Sequence, residues 1–149
     1  MRPDYSIKFP YKTYKGIPCP IITLEIMGTQ KWSILDAYVD TGAFYSIFCI
    51  QDAEFLGINY QKGKQSFATV GDGSLIPVYF HNLPIKIGNI SFKATLGFSP
   101  RLGVGFNLLG RKDIFERFVV IFDDVKKVVT FLPRKHWKIY RRQFLEEVE

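Results

Sequence analysis

Cysteine, histidine and methionine are scarce in this chain, with two of each among 149 residues. Cys19 and Cys49 form no CxxC pair and no Cys/His cluster, which argues against a structural zinc site. Two thiols make no disulfide framework either, so a reducing cytoplasm is the expected location. His81 and His136 have no cysteine or acidic companion at ligand spacing, and neither a metal nor another cofactor is expected. No histidine-containing triad can be assembled around Ser46, which sets serine hydrolysis aside. Long apolar runs are missing as well, so no membrane span is expected. The stretch from Met1 to Lys12 has no continuous apolar segment and does not read as a secretory signal. There is no internal repeat and no low-complexity linker.

What the chain has in quantity is aromatic side chains, 16% of it, with 14 Phe and 8 Tyr. Broad side chains fit a pleated surface and favour strands. Hydrophobic residues at 47% and charged residues at 23% are ordinary for a folded domain, and the length suits one domain with a real core. The net charge is +6, and the lysines are scattered until the C-terminus. That pattern reads as solubility, and nucleic acid is not an expected partner.

Periodicity gives the elements. Ile22, Leu24 and Ile26 alternate with Thr23 and Glu25, predicting a strand from Ile21 to Met27. A second strand, Trp32 to Val39, runs straight into Asp40-Thr41-Gly42. Ser46 to Phe48 reads as a short strand, and Gln51 to Leu56 as a short helix ended by Gly57. Ser66 to Tyr79 contains two β-rich runs joined by Gly71-Asp72-Gly73, a hairpin signal because glycine accepts the positive φ of a tight turn. Leu83 to Ile87 and Ser91 to Leu96 flank another turn at Gly88-Asn89. Phe106 to Leu109 reads as a short strand and Lys112 to Arg117 as one or two helical turns. Phe118 to Phe122 and Lys127 to Leu132 form a last hairpin around Asp123-Asp124, closed by Pro133. Many short strands with regular turns predict an all-β, mostly antiparallel, closed fold with one or two short helices. After Pro133 the composition becomes strongly charged. Residues 1–133 are therefore read as one domain and 134–149 as an extension. Trp137, Tyr140, Phe144 and Val148 recur at near-helical spacing. Basic residues precede Glu146, Glu147 and Glu149, against the helix dipole, so the extension is either a docked amphipathic helix or a frayed tail.

One segment carries chemistry: Ala37-Tyr38-Val39-Asp40-Thr41-Gly42-Ala43. A buried strand delivers one carboxylate, and a small hydroxyl residue and a glycine then turn the backbone sharply. Hydrolysis of a peptide by water needs one group to remove a proton from the water and another to polarise the carbonyl oxygen. Two carboxylates held close can do both, because like charges in contact cannot both ionise easily and one proton is shared. The tripeptide alone is weak, since an Asp that caps its own backbone in a turn looks the same. Its context is stronger. An apolar strand leads in, Ala43 follows, and nearly seventy residues on comes Phe106-Asn107-Leu108-Leu109-Gly110-Arg111-Lys112.

Taken together, these pieces resemble the retropepsin-like aspartic proteases, the retroviral proteases and their cellular relatives. The matching residues are Asp40-Thr41-Gly42-Ala43, the hairpin around Val70-Gly71-Asp72-Gly73-Ser74, and Leu108-Leu109-Gly110-Arg111, in the family's order and spacing between about Pro20 and Pro133. The resemblance implies a retropepsin-like acid-protease barrel whose active site lies on a two-fold axis, with Asp40 catalytic. It implies that Thr41, Gly42 and Ala43 support the loop, with Thr41 bonding across the axis. Val70 to Ser74 would form a flap that opens for substrate and closes over it. Leu108, Leu109 and Gly110 would pack beneath the catalytic loop, and Arg111 would make an ion pair or bond backbone carbonyls. The sequence holds no second Asp-[Thr/Ser]-Gly, so a dyad needs two chains and a homodimer acting on polypeptide is expected.

There are departures. Many retroviral proteases carry acidic residues after this motif, whereas this chain has Phe44 and Tyr45. The usual carboxylate partner of Arg111 is therefore missing. Two other readings stand beside the homodimeric endopeptidase. One is a non-catalytic dimer of the same fold that binds extended peptides or nucleic acid through Arg134, Lys135, Lys138, Arg141 and Arg142. The other is a monomeric barrel in which Asp40 is structural.

Overall fold

Strands dominate the chain, as its aromatic and β-branched residues predict. The computed structural model describes residues 3–148, with side chains as far as Gln143. In chain order the strands are β1 (Ile7–Pro10), β2 (Lys12–Tyr14), β3 (Ile17–Cys19), β4 (Ile21–Met27), β5 (Trp32–Val39), β6 (Ser46–Cys49), β7 (Lys64–Thr69), β8 (Leu75–Ile87), β9 (Ile90–Ser99), β10 (Leu108–Leu109), β11 (Phe118–Asp123) and β12 (Val128–Pro133). The α-helices are α1 (Ile50–Phe55) and α2 (Trp137–Val148), with 3-10 turns at Tyr60–Lys62 and Arg134–His136. Among the described residues no helix is long and apolar enough to cross a membrane.

The main sheet runs β4-β5-β10-β6-β9-β8-β7, and β8 also pairs with β4 through Glu25↔Lys86 and Ile26↔Ile85. That last pairing closes the sheet into a barrel and leaves β7 outside it as an edge. Most pairings are antiparallel. The exceptions are β10 with β5 and β6 with β9. The fold is thus all-β, closed and mostly antiparallel, as the strand pattern predicts.

Alternation explains which face goes inside. In β4 Ile22, Leu24 and Ile26 are buried, and in β5 Leu35, Ala37 and Val39 are buried. They join Phe48, Ile85, Ile87, Leu96, Phe98 and Leu109 in one core. Each large side chain fully buried this way contributes about 1.5–3 kcal/mol. A second sheet, β1-β12-β11, lays Phe9, Phe118 and Phe131 onto that core, with edge-to-face ring contacts of 5.6 and 5.4 Å about Phe131. A smaller apolar cluster of Ile47, Ile76, Val78 and Leu102 lies under the β7–β8 hairpin.

Three features depart from the sequence reading. First, β8 is one strand where two were expected. Its prolines fall where one edge is unpaired: Pro77 precedes the first residue paired to β9, Tyr79, and Pro84 lies between the last residue paired to β7, Phe80, and the first paired to β4, Ile85. A residue without an N–H is tolerated at such places. Second, residues 112–117 form a chain of turns instead of a helix. Asp113 adopts φ 66° and its carboxylate accepts a 2.8 Å bond from the Thr95 amide, which interrupts helical geometry. Third, β1, β2 and β3 were not anticipated.

The segment after Pro133 does form a helix, α2. It is tied to the N-terminal segment. The Tyr140 hydroxyl accepts from the Tyr5 amide at 2.6 Å and donates to Asp4 at 3.0 Å, and His136 stacks on Tyr5 at 3.6 Å. The Phe144 and Val148 side chains of the expected apolar stripe, and the acidic side chains at 146, 147 and 149, lie outside those described.

Candidate active site

The sequence β5–Asp40–loop–β6 leaves a gap between two strands, and β10 fills it. Leu108 pairs with Tyr38 in parallel on one side and with Ile47 in antiparallel on the other. The two motifs singled out in sequence are therefore braided together. The Tyr38 amide donates to the Asn107 carbonyl at 2.7 Å and the Asp40 amide to the Leu109 carbonyl at 3.0 Å. Returning, the Arg111 and Lys112 amides donate to the Ala43 and Phe44 carbonyls at 3.0 and 2.8 Å, and the Gly110 amide donates to the Ser46 hydroxyl at 2.9 Å. A buried strand edge would otherwise leave these groups unsatisfied.

Within the loop, the Asp40 carboxylate accepts from the Gly42 amide at 2.8 Å, and the Ala43 amide reaches back to the Asp40 carbonyl at 3.3 Å. A side chain on Gly42 would sit 3.2 Å from the same carboxylate oxygen. Asp40 is half-buried, whereas Thr41 and Gly42 are exposed. The carboxylate is held in place yet open to solvent and to a ligand. Burial pushes the Tyr38 phenol above its ordinary value, with the neighbouring Cys19 and Asp40 adding to the effect.

Gly110 has no room for anything larger. A Cβ there would lie 2.4 Å from the Tyr45 carbonyl oxygen and 2.9 Å from that of Ala43. This close approach lets the 40–45 loop drape over β10.

Asp40 faces an open cleft of about 630 Å³. One wall is Phe44, Tyr45, Ile47 and Leu108. Above it hang Phe67, Val70 and Gly71 of the β7–β8 hairpin, and Leu102, Val104 and Phe106 complete the lining. The hairpin turns at 70–74, where the Gly73 amide donates to the Val70 carbonyl at 2.8 Å with Gly73 at φ 84°. Asp72 accepts from the Ser74 amide at 2.9 Å and the Ser74 hydroxyl at 2.5 Å, and these bonds hold its carboxyl below the usual range. A side chain at Gly71 or Gly73 would meet nothing within 4 Å, so the tip stands free of the barrel.

A second, shallower depression lies beside Asp40, lined by Thr41, Tyr11, Pro20, Tyr38, Phe122 and Asp124. Asp40 thus stands where an apolar cleft meets an open face. Asp40, Gly42, Ala43, Val70, Gly71, Leu108 and Arg111 converge on the cleft, while Thr41 faces the depression. Asp72, Gly73 and Ser74 lie at the hairpin tip outside the cleft lining, and Leu109 and Gly110 are buried beneath.

Solved structures share this fold. A retropepsin-like aspartic protease from Rickettsia conorii superimposes with a TM-score of 0.61 at 18% identity, over 85% of this chain and 90% of that one. The fold is retropepsin-like. The EIAV protease in complex with an inhibitor matches with a TM-score of 0.50 at 23% identity, over 70% of this chain and 92% of that one. No family model matches the sequence.

Two residues matter more to this site than their sequence context showed. Asn107 is buried and ties three elements. It donates to the Asp36 carbonyl at 2.9 Å and the Asp52 carboxylate at 2.6 Å, and it accepts from the Cys49 amide at 3.0 Å. Ser46 is fully buried and anchors Gly110. The only sequence signal was a polar residue beside each apolar run. Arg111, expected in an ion pair or on backbone carbonyls, instead has its guanidinium over the Phe44 ring at 5.6 Å.

Proposed function

We propose that this chain is one half of a homodimeric aspartic endopeptidase, with Asp40 from each copy forming the catalytic pair. The observation that carries the proposal is the placement of Asp40: at the end of a buried strand, oriented by the Gly42 amide, where an apolar cleft meets an exposed face. One carboxylate cannot be base and acid at once, and the second is supplied most simply by a two-fold-related copy. Thr41, exposed beside Asp40, is suited to bond across that axis.

The steps follow from the pair. The ionised carboxylate takes a proton from a water held between the two. The water oxygen adds to the peptide carbonyl carbon while the protonated carboxyl gives its proton to the carbonyl oxygen. The tetrahedral adduct collapses as the amide nitrogen is protonated and the C–N bond breaks, releasing an acid and an amine and restoring the shared proton. No cofactor takes part. The β7–β8 hairpin acts as a flap, its backbone pairing with an extended peptide and its closure excluding water. Residues 1–133 form the protease unit and 134–149 a charged extension to it. Both cysteines are free, which supports a reducing cytoplasm as the setting.

Asp40→Asn tests this directly. The variant should stay dimeric and lose at least about a thousandfold in cleavage of an unfolded protein, since it removes both acid and base. Unchanged hydrolysis would take Asp40 out of the mechanism. A dimer that binds peptides without turnover at any pH would make the fold a binding module.

A further inference from the structure

Among the described residues, Asp40 and Arg111 are the only charged ones lining the cleft, whose other walls are apolar or neutral. The Arg111 side chain is exposed, and its guanidinium lies over the Phe44 ring at 5.6 Å. The salt bridges among the described residues join Lys12 to Asp36 and Lys127 to Asp124, and neither involves Arg111. The backbone of Arg111 is fixed by its amide bond to Ala43, and its head is braced by an aromatic face. A cation so placed keeps its hydrogen-bonding fork unspent on any carboxylate among the described residues. A planar guanidinium matches a carboxylate with two parallel bonds.

We propose that Arg111 is a specificity-determining residue that selects substrates with an acidic side chain flanking the cleaved bond, next to a large apolar residue seated in the cleft. The inference rests on the protease reading above. The apolar partner packs against Phe44, Tyr45, Ile47 and Leu108, and the carboxylate bonds the guanidinium at the edge of Phe44. A two-fold axis would place a second Arg111 on the other side of the bond, so the acidic preference extends to both flanks.

The test is a peptide series in which one Glu is moved through each position on both sides of the cleaved bond, with Gln counterparts. Wild-type protein should cleave the best Glu peptide about fivefold better than its Gln twin in kcat/KM, the range of a partly exposed ion pair. Arg111→Gln should bring the twins to equality in kcat/KM. Arg111→Glu should favour a Lys peptide instead, an exchange that a purely structural arginine would not produce. Binding of the same peptides to the Asp40→Asn variant supplies a readout without turnover. Glu and Gln twins handled equally by wild-type protein, or a Glu preference that survives Arg111→Gln, overturns the inference while leaving the protease reading intact. Failure of wild-type protein to cleave any peptide overturns that reading itself. In that case the Glu/Gln ratio in binding to Asp40→Asn protein, with and without Arg111→Gln, still decides the role of Arg111.

Discussion

Replacing Gly110 by alanine should damage this protein out of proportion to one methyl group. The added carbon would lie 2.4 Å from the Tyr45 carbonyl oxygen, 2.6 Å from its carbon and 2.9 Å from the Ala43 oxygen. All three are backbone atoms of the loop that carries Asp40, so no side chain can rotate away. Either the loop lifts off β10 or β10 shifts within the barrel. Overpacking of this kind costs about 1–3 kcal/mol, and losing the Gly110–Ser46 bond adds about 1 kcal/mol. A total near 3 kcal/mol corresponds to a fall in Tm of about 6–12 °C for a chain of this size. Gly71→Ala is the control. Its Cβ meets nothing within 4 Å, and a loss within about 0.5 kcal/mol is expected. Both variants should be melted at one fixed protomer concentration, because dimerisation would couple Tm to concentration. A Gly110→Ala variant melting within 2 °C of the parent would refute the claim that this close approach fixes the Asp40 loop.

Other outcomes follow from the same geometry. Asn107→Ala should destabilise the fold by about 3 kcal/mol, since it strips the Cys49 amide of its acceptor and frees the Asp36 carbonyl and Asp52 carboxylate; urea denaturation would show it, and a loss under 1 kcal/mol would contradict it. The Asp72 carboxyl is held below its ordinary value by the Ser74 hydroxyl and amide, so the order these bonds give the hairpin tip is present above that ordinary value and lost as pH falls through the lowered one. The Ser74 amide resonance should therefore titrate with a midpoint below 3.8, and a midpoint at or above 3.8 would remove the cause assigned here. Burial pushes the Cys49 thiol up, so at pH 8 it should react with iodoacetamide more slowly than free cysteine does; equal reactivity would mean the site is open. Thr41→Ala should raise the dimer dissociation constant about thirtyfold if each copy loses a bond worth about 1 kcal/mol across the axis, as read by sedimentation, and an unchanged constant would place Thr41 off the axis.

The parts of the fold legible in sequence were those that local pattern decides. β4 and β5 begin and end where the alternation of Ile22, Leu24, Ile26, Leu35 and Ala37 does, because each needs only one buried face. The turn at 70–74 was readable from its glycines, whereas the spacing of Trp137 and Tyr140 left α2 open between a docked helix and a frayed tail. The unread parts depend on distant partners. The continuity of β8 across Pro84 depends on which neighbours end and begin there. Turn geometry at Asp113 depends on the Thr95 amide of another strand. Asn107 gains its role only when β10 enters between β5 and β6, bringing together residues 55 to 71 positions apart. In the candidate site, Asp40 and Gly110 were visible as a motif pair. The contact of Arg111 with Phe44 was not, because it replaces an ion pair by a ring that signals nothing in sequence.

Mixing wild-type chains with an excess of Asp40→Asn chains tests the central claim most directly. If each catalytic unit needs a carboxylate from both copies, mixed dimers are inactive. At one part wild type to nine parts variant, after subunit exchange, the activity per wild-type chain should then fall to about a tenth. Activity per wild-type chain that stays constant across the mixture would mean that a single Asp40 suffices, and the two-chain mechanism would be wrong.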